Sequence, residues 1–86
     1  MVRWVFCRER ETITCEVDAT RDHHFEACLV PHWNVSASVV QPFDSLMSAL
    51  WWHAEAARRL RESGWTLVDH VPGHIASHAP VPLAAA

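Results

Sequence analysis

The chain has 86 residues, room for one domain, and half of them are hydrophobic against 20% charged, the composition of a globular protein. A formal net charge of −3 speaks against a protein built chiefly to lie on nucleic acid or on an anionic membrane. No run approaches the roughly 20 apolar residues of a membrane helix, and charges at Arg3, Arg8, Glu9 and Arg10 leave no signal-peptide core, so the expected location is cytoplasmic.

The chain opens with two alternating runs, residues 2–7 and 12–18. Val2, Trp4 and Phe6 share one face of the first, and Ile13, Cys15 and Val17 share one face of the second. A hairpin turning around Glu9-Arg10 pairs Phe6 with Ile13, Trp4 with Cys15 and Val2 with Val17. That register also sets Arg3 opposite Glu16 and Arg8 opposite Glu11 on the other face, where Thr12, Thr14 and Glu16 are expected to be solvated. A slip of one residue would turn the whole apolar set into water.

A polar loop from Asp18 to His24 leads to a third strand, Phe25 to Val30, with Phe25, Ala27 and Leu29 facing inward and Pro31 as its stop. Val35, Ala37 and Val39 alternate with Ser36 and Ser38, which reads as a short fourth strand. The helix follows. Asp44 is the expected N-cap, its carboxylate accepting first-turn amides, and Gly64 sits where a left-handed residue closes a helix. Leu46, Ala49, Leu50, His53, Ala57 and Leu60 fall on one stripe at 100° per residue. Trp65 to Asp69 reads as a last strand. From Pro72 on, prolines and small residues imply a disordered tail, giving a domain over 1–71 and a flexible segment over 72–86. The expected fold is α+β, in the order β-β-β-(β)-α-β. A mostly antiparallel sheet of three to five strands carries one long helix on one face.

The chemistry-bearing residues do not assemble into a familiar site. Cys7, Cys15 and Cys28 are odd in number and stand on separate strands, so neither a disulfide framework nor a zinc site is expected, and no metal or cofactor is assigned. His70, His74 and His78 recur every fourth residue, but Pro72, Gly73 and Pro80 exclude the helix that would stack them. Two glycines cannot build a phosphate loop, and no Gly-x-Ser-x-Gly elbow is present. Asp22, His23 and His24 read as a solvated loop before they read as an acid–base pair. His53, central in the helix stripe, reads as a neutral core imidazole with one hydrogen bond. No catalytic residue is assigned.

What remains is surface. Trp51 and Trp52 flank the helix stripe on opposite sides, so one sheet cannot bury both, and Trp is costly to leave in water. With Trp33 they form the expected interaction surface of a non-catalytic protein-interaction or regulatory module, bound to a partner protein or to itself. The alternative is a single-stranded nucleic-acid binder using Arg3, Arg8 and Arg10 at the hairpin and Arg58, Arg59 and Arg61 at the helix end.

Overall fold

A computed structural model describes residues 2–71. Five strands, β1 (Val2–Arg8), β2 (Glu11–Arg21), β3 (His24–Pro31), β4 (Val39–Phe43) and β5 (Thr66–Val71), form one antiparallel sheet in the order β4-β3-β2-β1-β5. The helix α1 (Leu46–Glu62) lies across one face. This is the expected α+β architecture with its fourth strand present. The expected flexible segment 72–86, with His74 and His78, lies outside the described residues. No helix among the described residues is long and apolar enough to cross a membrane.

The first hairpin adopts the register that its alternation and charges demand. Val2 pairs with Val17, Trp4 with Cys15 and Phe6 with Ile13, and Arg3 meets Glu16 on the opposite face, whereas the expected pair Arg8–Glu11 continues the Phe6–Ile13 side, with Arg8 lying over Trp65 rather than on the outer face. Glu9 supplies the turn at φ 56°, a left-handed conformation that an L side chain adopts at some cost. Under α1 the core forms two clusters. Phe6, Ile13, Cys15, Ala57 and Trp65 make one, and Val17, Ala27 and Ala49 the other. The helix contributes the buried side chains of Ala57 to the first and Ala49 to the second.

Four expectations are corrected. β2 runs on to Arg21, so the polar loop expected from Asp18 to His24 is reduced to the turn Asp22-His23. The fourth strand begins at Val39 rather than Val35: Val35–Ala37 is a 3-10 turn, held by Ser38 Oγ donating to the Val35 carbonyl at 2.6 Å and Ser36 Oγ donating to Asn34 Oδ1 at 2.8 Å. The strand runs instead through Pro42, which lacks an amide hydrogen and is tolerated because β4 is an edge. The N-cap is Ser45, whose Oγ accepts the Ser48 amide at 3.3 Å, while the Asp44 carboxylate turns to His24 Nδ1 at 3.2 Å. Thr14 is not solvated but 4% exposed. It remains on the face away from α1, covered by His32, whose Nε2 lies 2.6 Å from Thr14 Oγ1. The strand faces are therefore as expected, and a side chain folded back from beyond β3 shields one position on the outer one.

The end of α1 explains how the next element is placed. Gly64 at φ 93° follows the C-cap Ser63. The Trp65 amide reaches back to the Leu60 carbonyl at 2.9 Å and the Gly64 amide to the Arg61 carbonyl at 3.0 Å, the two bonds of a Schellman motif. This reversal drives the Trp65 ring under the last turn of α1, against Leu60, Phe6 and Ile13. It then feeds β5 onto the free edge of β1, with a bulge opposite Val5 and Phe6.

Candidate functional site

An apolar trough runs along the flank of α1 that faces β4. One part, about 400 Å³, lies between Trp51, Trp52, Ala56 and Leu60 of the helix and Leu29 and Val39 of the sheet, with Trp65 also in its lining. A second concavity continues toward the start of the helix past Met47, Ser48 and Phe43. Trp51 and Trp52 border both.

The two tryptophans differ in role. Trp52 is half-buried and packs against both core clusters, although its wheel position lies off the Leu/Ala stripe. Its side chain is long enough to reach round the helix and become a wall of the trough. Trp51, one residue earlier, points away from the core and is 68% exposed. Beside it Met47 is 74% exposed and Val39 48%. Trp33 stacks on Trp65, ring centroids 6.0 Å apart and planes 13° apart, so it adjoins the trough through that ring. The segment between Pro31 and Pro42 thus folds back over Trp65 and borders Trp51 and Trp52 at Val39.

The charges at the rim are unevenly compensated. Glu55 accepts from Arg58 Nε at 3.0 Å and from its NH2 at 2.8 Å, and Arg58 also bonds Glu62 at 2.7 Å. Those bonds hold the Glu55 carboxyl below its usual range. Arg59, on the same rim, makes no hydrogen bond or ion pair among the described residues and acts on Glu55 only through space.

The six arginines of the nucleic-acid alternative do not share one surface chemistry. Arg3 and Arg8 lie 4.0 Å from Glu16 and Glu11, and Arg58 is held by two glutamates. Arg8 also donates to the Ser63 carbonyl at 2.9 Å and lies 4.6 Å above the Trp65 ring, while Arg61 covers Trp4 at 5.5 Å. Arg10 sits exposed in the hairpin turn.

His53 is 3% exposed beneath α1. Its Nε2 lies 3.0 Å from the Cys15 carbonyl, which can only accept, so Nε2 carries the proton. Trp4 meets the ring edge-on at 4.8 Å. Burial lowers its pKa, and the hydrogen bond to Cys15 opposes that only in part. Cys15 is fully buried beside it, its thiol pushed up to about 12, first by burial and then by Cys28 and Glu16. Cys28 lies on the outer face, where burial and then Glu26, Glu16 and Asp18 raise its pKa. No group of three or more His, Cys, Asp or Glu among the described residues is placed to hold a metal. Asp22 and His23 form the exposed turn between β2 and β3, with His23 at φ 58°.

Comparison with family models, with curated proteins and with solved structures returns no match.

Proposed function

We propose that the chain is a non-catalytic protein-interaction module that docks through the trough beside α1. The observation that carries the reading is Trp51, 68% exposed above an apolar depression whose other walls are Trp52, Val39 and Leu60. A tryptophan in water forfeits burial of about 150–250 Å² of surface, and residues of this type dominate binding hot spots when a partner covers them. The trough is open along its length, which suits a macromolecular segment better than a small ligand held on most sides. The nucleic-acid alternative draws on arginines of which three already face carboxylates, and Arg8, which lies over Trp65 beside the exposed Trp33, is among them.

The test is selection of displayed random peptides on the immobilised domain, with the Trp51→Ser variant as the counter-target. The reading expects enrichment of apolar peptides that bind the wild-type domain and lose binding on Trp51→Ser. Enrichment indifferent to Trp51, or none, rejects the trough as a docking site.

A further inference from the structure

We infer that the segment docking in the trough is acidic: a partner protein seats an apolar anchor against Trp51 and Trp52 and pairs a carboxylate with Arg59. This rests on the interaction reading and specifies the chemistry of its partner. Two charged side chains line the trough, Glu55 and Arg59, and they are not equally available. Glu55 accepts from Arg58 Nε at 3.0 Å and from its NH2 at 2.8 Å, so a basic partner would have to displace a two-point ion pair. Arg59 is exposed and makes no hydrogen bond or ion pair among the described residues. The second concavity, past Met47 and Phe43, has no charged side chain in its lining. Arg59 is therefore the one uncompensated charge among the described residues that line the trough.

The placement of that charge gives the partner a spacing. Arg59 follows Trp52 by seven residues on α1, two turns that set it within about 20° of the same line and about 10 Å along the axis. The carbonyls that end the helix do not hold its guanidinium. Those of Arg59, Leu60 and Arg61 accept the amides of Ser63, Gly64 and Trp65 instead. A partner that rests an apolar side chain on Trp52 thus meets Arg59 with a group about 10 Å further on, roughly seven residues away in a helical segment or three in an extended one. Segment 72–86 carries no Asp or Glu and does not meet this condition. A nucleic-acid strand fits less well than a protein. One open cation gives no track for successive phosphates, and Leu29, Val39, Ala56 and Leu60 offer aliphatic walls where bases would need stacking planes.

The test reads the peptides selected on the full chain and measures their affinity by fluorescence anisotropy. Peptides that depend on Trp51 should carry Asp or Glu at that spacing from an apolar anchor. Their binding should weaken as sodium chloride rises from about 0.1 M to about 1 M, which shortens the screening length from about 10 Å to about 3 Å. Arg59→Gln should weaken binding about threefold, and Arg59→Glu about tenfold with the salt dependence reversed. Replacing the peptide's acid by lysine should restore binding to Arg59→Glu and abolish it on the wild type. Circular dichroism checks that each variant is folded. Trp51-dependent peptides that are neutral or basic, or acidic ones indifferent to Arg59 and to salt, overturn the inference and leave the docking reading standing. Enrichment that ignores Trp51, or no enrichment, rejects both. Displacement of the peptide by a short oligothymidylate assigns the trough to nucleic acid, and Trp51-dependent self-association in sedimentation equilibrium assigns it to a second copy; either result overturns the inference.

Discussion

The imidazole of His53 donates its Nε2 proton to the main-chain carbonyl of Cys15 at 3.0 Å, joining the middle of the helix to the middle strand of the sheet. In this position the ring is useful only when neutral. Burial has lowered its pKa below the 6.5 of an exposed histidine, so the unfolded chain takes up the proton first as the medium is acidified. The contribution of His53 is complete above pH 6.5 and is lost as pH falls below that value toward the folded-state pKa. Glu16 works in the opposite sense, its carboxyl raised by burial and by Asp18. Comparing thermal midpoints of the wild type and His53→Gln cancels that term, since glutamine is neutral and can still donate. The wild type should lose stability relative to His53→Gln below pH 6.5; curves that stay parallel into the acid range would contradict the assignment.

Phe6 is the largest fully buried side chain, at 0% exposure between Ile13, Trp4 and Leu67. Truncation to alanine should cost about 3–5 kcal/mol, comparable with the whole stability of a small domain. Chemical denaturation would register it as a loss of cooperative unfolding or a large fall in midpoint. A near-native midpoint would refute the core described above.

Gly64 at φ 93° has open room for a side chain, the nearest atom to an added Cβ being Arg8 Cδ at 3.7 Å. Gly64→Ala therefore meets a backbone penalty and no clash, about 1–2 kcal/mol for an L residue in that region. A milder cost would mean that the helix ends in another way. Because the same turn aims Trp65 at the trough, the substitution should also alter the near-ultraviolet dichroism of the stacked Trp33–Trp65 pair.

The elements legible in the sequence are those whose signals agree at short range. Alternation in β1 and β2 and the Arg3–Glu16 and Arg8–Glu11 oppositions all demand one register, and that register is found. The helix stripe and Gly64 were equally readable. Misreadings occur where a distant group decides. The period-two pattern of Val35 to Val39 belongs to a 3-10 turn stabilised by serine hydroxyls, and the real strand hides behind Pro42 because its edge position was not evident. Asp44 looks like a cap until His24, twenty residues earlier, takes its carboxylate. Thr14 looks solvated until His32 covers it. For the trough, the exposure of one of Trp51 and Trp52 followed from the helical wheel, but which of them did not. The participation of Val39 and Trp65 needed the sheet order and the Schellman turn.

Cys15 should be inert in the folded protein. It is fully buried and its thiol is raised to about 12, so almost no thiolate exists at neutral pH. Mass-resolved labelling with an aromatic disulfide reagent should leave Cys15 unmodified until denaturant is added. Labelling at native conditions on the time scale of the half-buried Cys7 would contradict its place in the core.

The covered state of the Trp51 face can be watched without disturbing the core by fluorine NMR of the wild-type chain carrying 5-fluorotryptophan. Five resonances are expected, one per tryptophan, and that of Trp51 is identified by its loss in Trp51→Phe. As a peptide enriched on the domain is titrated in, the Trp51 resonance should move and its solvent isotope shift should shrink, while the resonance of Trp4, packed against His53 and outside the trough, stays in place. A Trp51 signal that stays water-exposed and unmoved at saturating peptide would contradict docking over this face.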